Sequence, residues 1–233
     1  MHGNGALTAV RTSLSEQLAG LRGVAVSDLP ASLLAVAVRD VAGIHLLLPA
    51  DWEALRHDEG AAGRPVPFWA RPWPSGNALA EAIAADPPAA GARVLELGCG
   101  LGAPSIVAAR AGATVLATDG ATDAVAFAAH GLALNEVDAE VAHVDWAAHG
   151  DALAARGPWD LVLAADVLYT RANVEAASRL LPRLLAPGGE IHLADPGRAG
   201  ARDFLAAARG TFWIHTERAE DVSLHRLRRR PPR

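Results

Sequence analysis

No lysine occurs anywhere in the 233 residues; all 21 basic residues are arginine. With alanine and glycine abundant, this reads most simply as the mark of a GC-rich genome. There is one cysteine, Cys99, so no internal disulfide can form and nothing points to an oxidising compartment. Acidic residues outnumber basic ones, and a net charge of −5 offers no general attraction to nucleic acid. A local exception is the tail, where Arg226, Arg228, Arg229, Arg230 and Arg233 cluster; we read it as a solvated strand end. No apolar run reaches the length of a membrane span, since the nearest, Ala31 to Ala50, is broken by Arg39, Asp40 and His45. The start, Met1-His2-Gly3-Asn4-Gly5, lacks the charged head and long apolar core of a signal peptide. We therefore expect a cytoplasmic protein with no membrane partner, no nucleic-acid partner and no metal site.

What the chain does have is apolar residues, 51% of the total against 20% charged. That is enough for a sizeable core and argues for one domain with an appendage. The stretch that organises the rest is Arg93-Val94-Leu95-Glu96-Leu97-Gly98-Cys99-Gly100-Leu101-Gly102, followed by Ala103-Pro104-Ser105-Ile106. A short apolar run, three alternate glycines and a helix start with proline in its first turn predict strand, tight loop and helix. Glycine lets bare backbone approach a ligand, and the free N–H groups of the helix start favour a negative ligand group.

Two cofactors fit such a loop. Gly98-x-Gly100-x-x-Ala103 satisfies the loose dinucleotide pattern, with Asp119 after the next apolar run where a ribose-binding acid belongs. The alternative is E-x-G-x-G-x-G, from Glu96 to Gly102, which resembles motif I of the seven-strand S-adenosylmethionine-dependent methyltransferases. The loop by itself leaves both open.

Residues 12–22 can form a short helix, with Ser13 or Ser15 as its cap. Residues 33–39 and 44–48, joined by Asp40-Val41-Ala42-Gly43, read as a β-hairpin. Asp51 opens a helical piece to His57, and the Gly/Pro-rich residues 60–67 mark a boundary. We take residues 1–65 as an N-terminal accessory layer of hairpin and helix, and residues 66–233 as the cofactor-binding domain. In Pro67 to Leu79, Trp69 and Trp73 stand between prolines that forbid an ordinary helix. Each tryptophan is either a core anchor or an aromatic wall of a pocket. A helix over 75–85 follows. Strands at 94–97, 114–118, 139–144, 161–165 and 191–194 then alternate with helices at 104–111, 123–135, 171–185 and 199–209. Residues 212–216 and 222–227 are too close for a helical crossover and predict an antiparallel pair. The fold class is α/β: a Rossmann-like, doubly wound, seven-stranded, mostly parallel sheet with an antiparallel C-terminal hairpin. The hairpin favours the methyltransferase reading, because the seven-strand methyltransferase sheet ends in this way.

Ligands of such sheets bind beyond the carboxyl ends of the strands. Four of the five parallel-strand exits carry a carboxylate: Asp119-Gly120, Asp145-Trp146, Asp166-Val167-Leu168-Tyr169 and Asp195-Pro196-Gly197-Arg198. Any one of these could be a turn former; four around one crevice are harder to dismiss. At this point the likeness becomes specific. Trp73-Pro74-x-Gly76-x-Ala78-Leu79, the Val94 to Gly102 segment, Leu134-Asn135, Asp160-Leu161-Val162-Leu163-x-x-Asp166-Val167-Leu168-Tyr169 and Asp195-Pro196-Gly197-Arg198 resemble the lysine methyltransferases of methyltransferase family sixteen. The likeness is strongest to those that modify the β subunit of electron-transfer flavoprotein and weaker to bacterial ribosomal protein methyltransferases. It covers roughly residues 66–200.

The resemblance implies S-adenosyl-L-methionine as cofactor, with Trp73 and the Gly98, Gly100 and Gly102 loop at its methionine end. It implies that Glu96 orients the loop, Asp119 binds the ribose hydroxyls, Trp146 packs on the adenine and Asp145 sits near the adenine amino group. Asp166 and Tyr169 match the family's D-x-x-Y element at the transfer centre. Val167-Leu168 replaces the two prolines of nucleobase and glutamine amino-methyltransferases, which lowers that alternative.

The chemistry can be argued from the acceptor's side. A lysine ammonium with a pKa near 10.4 must lose its proton before it attacks, at a cost of roughly 4 to 5 kcal/mol at neutral pH. Burial and a nearby sulfonium lower that pKa, whereas Asp166 would raise it, so Asp166 is expected to orient the amine. Tyr169 and Trp69 can offer aromatic faces to a methylated ammonium. The expected function is S-adenosylmethionine-dependent N-methylation of a protein lysine. A small-molecule acceptor, an NAD(P)-dependent oxidoreductase and an inert cofactor-binding module are the alternatives.

Overall fold

The computed structural model describes residues 4–231, which leaves Arg233 of the basic tail outside the described residues. Helix α1 spans Asn4–Arg22, about two turns longer than expected. Ser15 is therefore no cap: its hydroxyl donates back to the Arg11 carbonyl at 2.7 Å, inside the helix. Ser13 lies inside it too, its Oγ 3.1 Å from Nε2 of His130. The stripe Leu7, Val10, Leu14, Leu18 has helical spacing and packs into the core. A single turn, α2 (Ala31–Leu34), takes the place of the expected first residues of the hairpin, because Pro30 begins a helical turn there. The hairpin proper is β1 (Val36–Val41) and β2 (Ile44–Pro49). Its two-residue turn, Ala42-Gly43, has both φ angles positive, at 48° and 77°, as a tight hairpin of this hand requires.

Asp51 caps α3 (Trp52–Ala61) by accepting the Ala54 amide at 2.9 Å. Arg22 of α1 reaches Glu59 of α3 at 3.1 Å and also pairs with Asp123. A short 3₁₀ turn (Phe68–Ala70) and α4 (Pro74–Ala85) lead into the sheet, with Pro74 in the first turn where its missing N–H costs nothing.

The sheet is built from β3 (Arg93–Leu97), β4 (Thr114–Asp119), β5 (Glu140–His143), β6 (Trp159–Ala165), β7 (Leu185–Asp195), β8 (Phe212–Ala219) and β9 (Val222–Arg229). The intervening helices are α5 (Ala103–Arg110), α6 (Thr122–Leu134), α7 (Trp146–Arg156), α8 (Arg171–Leu184) and α9 (Ala199–Ala208). Strand order is β5-β4-β3-β6-β7-β9-β8. The first five are parallel, and β9 runs antiparallel to both β7 and β8. The expected seven-stranded sheet and closing hairpin are thus both present. The chain moves outward from β3 to β5 and returns to the other side of β3 with β6, which opens a crevice at that reversal.

Within the sheet domain two further elements differ from expectation. Helix α7 has no counterpart in the sequence reading, and β7 begins at Leu185 instead of 191. Leu185 pairs with Trp159, and Leu161 next meets Glu190, so Pro187-Gly188-Gly189 forms an irregular step inside the strand.

Both sheet faces are covered, which explains the continuous apolar runs of the strands. Val94, Leu161 and Leu163 face a cluster that includes Leu14, Leu46, Leu79, Ile106 and Phe127. Their neighbours Leu95, Leu97, Val162 and Ala164 face a second cluster with Leu153, Leu180, Leu184 and Phe204. The hairpin and α1 belong to the first cluster. Among the described residues no helix is long and apolar enough to cross a membrane. In the tail, Arg226 pairs with Asp86 at 2.7 Å, Arg228 donates to Glu190 at 2.8 Å, and Arg230 lies 3.6 Å over the Trp213 ring.

Candidate active site

Strand β3 ends in the glycine loop, and buried Glu96 holds the helix that follows. Its Oε2 accepts the Ser105 amide at 3.0 Å and the Ser105 hydroxyl, satisfying an N–H that the first turn of α5 would otherwise leave bare. Burial pushes the Glu96 carboxyl up to about 8, with the Ser105 bonds opposing and Asp119 adding to the rise. Gly98 has φ 67°, and a Cβ there would meet Cγ1 of Val167 at 2.9 Å. Gly100 has φ 53°, and a Cβ there would lie 3.2 Å from the carbonyl oxygen of Trp69. The loop is thus pressed between the β6 exit and the aromatic segment, and a side chain at either glycine would be strained by its positive φ and would have to displace a neighbour.

Strand β4 delivers Asp119. Its Oδ2 accepts the Gly100 amide and its Oδ1 the Ala121 amide, each at 2.8 Å. Burial raises its pKa, against the pull of the amides of Ala121, Gly100 and Gly120 and of His143. A carboxylate has about four acceptor sites, so capacity remains for hydroxyl donors. Asp145, exposed after β5, caps α7 through the amides of Ala147 at 3.0 Å and Ala148 at 3.2 Å. That cap sets Trp146 at the helix start, buried yet lining the crevice.

Asp166 leaves β6 in the left-handed region, φ 56°, with its amide on the Ala194 carbonyl at 2.8 Å. Its carboxylate is gripped at two points by Arg198, Nη2 to Oδ2 at 2.8 Å and Nε to Oδ1. Asn173 of α8 donates to the Val167 carbonyl at 2.8 Å and so fixes the Asp166 to Tyr169 segment. Tyr169 is 54% exposed, its ring 6.2 Å from that of Phe68. Burial raises its phenol pKa, helped by Asp119 and Asp166 and opposed by Arg198.

The segment before α4 closes the other wall. The Trp73 indole donates to the Phe68 carbonyl at 2.7 Å. The Arg71 guanidinium lies 4.8 Å from the Trp73 ring and 5.4 Å from that of Trp52. Trp69 packs on Phe127 at 5.0 Å between ring centres while also lining the crevice, so it is both core anchor and pocket wall.

The result is a cleft of about 420 Å³, within the range of small-ligand sites. Trp73, Glu96, Gly98, Gly100, Gly102, Asp119, Asp145, Trp146, Asp166 and Tyr169 all line it. Every residue given a catalytic or cofactor role from the sequence therefore lines one cleft, whereas Asp195, the fourth strand-exit carboxylate, is buried and does not line it. Phe68, Asn173 and Arg198 join them without having been given a role. Arg198 was visible as a strand-exit residue, but its partner was not. The arrangement can hold a ligand with hydroxyl groups at Asp119, a flat ring near Trp146, and an acceptor near Asp166 and Tyr169.

A family model described as lysine methyltransferase matches residues 71–207. The electron transfer flavoprotein beta subunit lysine methyltransferase of Danio rerio is 33% identical over 141 residues, 60% of this chain and 54% of that protein. A ubiquinone biosynthesis O-methyltransferase of Xanthomonas oryzae pv. oryzae is 39% identical over 119 residues, 50% of this chain and 48% of that protein. The chain thus spans about half the length of the curated relatives it matches. Among solved structures, a T. thermophilus 16S rRNA N2 G1207 methyltransferase, in complex with AdoMet and guanosine, superposes with a TM-score of 0.63. Its identity is 20%, and the match covers 84% of this chain and 50% of that one. At that identity the likeness speaks for the fold.

Proposed function

The chain belongs to the lysine methyltransferase family whose model it matches over residues 71–207, and we propose that it methylates a lysine ε-amine of a protein with S-adenosyl-L-methionine. The observation that carries the reading is the single cleft in which the glycine loop, Asp119, and the Asp166–Tyr169 element meet at the carboxyl ends of β3, β4 and β6.

The donor set fits the cofactor. Asp119 retains acceptor capacity and would hold the ribose hydroxyls, Trp146 would pack its indole on the adenine, and Trp73 would wall the methionine end. Asp145, at the start of α7 beside Trp146, would accept the adenine amino group. Glu96 acts one step back, by fixing α5 and with it the loop. When bound, the sulfonium supplies an activated methyl group. The work left to the chain is alignment, which by itself is worth several orders of magnitude in rate. Asp166, held by a strand exit, orients the amine through its free lone pairs, and the Tyr169 and Phe68 rings flank the acceptor's path.

A small-molecule acceptor is the second reading, favoured by the 39% identity to the O-methyltransferase. One experiment separates the two. The purified protein is incubated with methyl-labelled S-adenosyl-L-methionine and either electron transfer flavoprotein β subunit, the substrate named for the Danio rerio relative, or a lysate of the source organism. The protein reading expects label in macromolecules, recovered as ε-N-methyl-lysine after acid hydrolysis. Label confined to small molecules would support the second reading instead.

A further inference from the structure

Asp166 and Arg198 leave different strands, β6 and β7, and meet in the cleft as a two-point ion pair. Nη2 of Arg198 lies 2.8 Å from Oδ2 of Asp166, and Nε donates to Oδ1. The Asp166 side chain is 9% exposed and that of Arg198 38%. Further contacts fix the pair. The Asp166 amide is tied to Ala194 of β7. Asp195, 1% exposed, uses Oδ1 to accept the amides of Gly197 and Arg198, each at 2.6 Å, which sets the turn from which Arg198 reaches. The other oxygen of Asp195 is buried with no hydrogen-bond partner among the described residues.

A carboxylate beside an amine acceptor poses a difficulty. Alone, it favours the ammonium, which has no lone pair for attack. Arginine is always charged and matches a carboxylate at two points, so it offsets the charge while each oxygen keeps a free lone pair. We propose that Arg198 is a positioning residue for methyl transfer: it locks Asp166 and balances its charge, so that the cleft orients a neutral amine. The inference rests on the amine-acceptor reading above and adds a residue and a protonation state to it.

The charged and titratable groups around the pair are few. Asp195 comes from the same turn, Tyr169 from the loop after β6, and Asp119 from the exit of β4. Arg71, Glu96, Cys99 and Asp145 line the same cleft. With Arg198 removed, Arg71 is the remaining arginine of the cleft lining, against the carboxyl groups of Asp119, Asp145 and Asp166. The acceptor's surroundings then turn more negative, and its ammonium holds its proton to higher pH.

Two variants of the full chain test this, Arg198→Gln and Arg198→Lys. Calorimetric titration with S-adenosyl-L-homocysteine should give affinities within about threefold of wild type for both, which also shows that they fold. In ¹⁵N-labelled wild type the Arg198 Nε–H should be protected from solvent exchange, and Asp166→Asn should remove that protection. Label transfer to the acceptor found in the experiment above should fall by about 30-fold or more in Arg198→Gln and by less in Arg198→Lys. The limb of the rate profile that rises with pH should move up by about one unit in Arg198→Gln.

Wild-type transfer with an unmoved limb in Arg198→Gln would overturn the inference and leave the methyltransferase reading standing. So would a more than tenfold loss of S-adenosyl-L-homocysteine affinity, which would make Arg198 a cofactor contact, and so would an unprotected Nε–H in wild type. If wild type itself transfers no label to any acceptor, the functional reading falls and this inference falls with it.

Discussion

The amide of Gly100 donates to Oδ2 of Asp119 at 2.8 Å, so the loop leaving β3 and the acid leaving β4 form one unit. Asp119 therefore does two things at once. It shapes the glycine loop from within, and it keeps acceptor capacity for a ligand on its cleft side.

Asp119→Ala should weaken S-adenosyl-L-homocysteine binding by about 1.5 to 3 kcal/mol, the scale of losing hydrogen bonds to a charged group. It should also lower Tm, because the Gly100 and Ala121 amides lose their acceptor. Since burial raises the Asp119 pKa above its usual 3.8, affinity should decline on acidification at a pH above that value. Calorimetry across pH checks both, and wild-type affinity in the folded variant would remove Asp119 from the cofactor site.

Glu96 makes a separate prediction about stability. Its carboxyl binds a proton more tightly in the folded chain, at about 8 against an ordinary 4.5. The contribution to the fold is therefore full below the ordinary value and is lost as pH rises through about 8. At 1.36 kcal/mol per unit the whole swing is roughly 5 kcal/mol. Wild-type Tm should fall between about pH 5 and 8 and level off above that, and Glu96→Gln, which keeps the shape and cannot ionise, should flatten that fall. Equal slopes for the two proteins would contradict it.

Trp146 is 7% exposed and shares an apolar cluster with Leu153 and Leu180, so truncation to alanine would cost core packing as well as any ring contact. Trp146→Phe is the cleaner variant. Cofactor binding should quench wild-type tryptophan fluorescence, and the variant should lose most of that quench although Trp52, Trp69, Trp73, Trp159 and Trp213 remain. A quench of unchanged size would assign the signal to another indole.

Much of the site was legible because it follows from strand exits. Continuous apolar runs marked β3, β4 and β6, and the residue after each run is held by the sheet, so Gly98, Asp119 and Asp166 had to converge. What stayed hidden depended on neighbours. Helix α7 carries only Trp146 and Leu153 as buried residues and is interrupted at His149, leaving too little periodicity to read. The early start of β7 is set by the pairing of Leu185 with Trp159, which no local pattern announces. Asp166 and Arg198 are 32 residues apart, and only the placement of β6 beside β7 brings them together. The first turns of α1 could have been found, since Leu7 and Val10 continue the stripe of Leu14 and Leu18.

At the transfer centre, Asp166→Asn should reduce turnover by about 100-fold or more, the scale of lost alignment, while S-adenosyl-L-homocysteine affinity changes little. Tyr169→Phe keeps the ring and loses one hydroxyl, a loss of about 1 kcal/mol. Steady-state rates together with calorimetry separate the two roles. Loss of cofactor affinity in Asp166→Asn with turnover intact at saturation would move Asp166 into the cofactor shell.

Whether this cleft carries a methyl group to a lysine side chain is read from amino-acid analysis of labelled acceptor protein. Wild-type enzyme with methyl-labelled S-adenosyl-L-methionine should yield labelled ε-N-methyl-lysine, and Asp166→Asn, at equal cofactor occupancy, should yield almost none. Label recovered on another amino acid, or equal label from both proteins, would contradict the account.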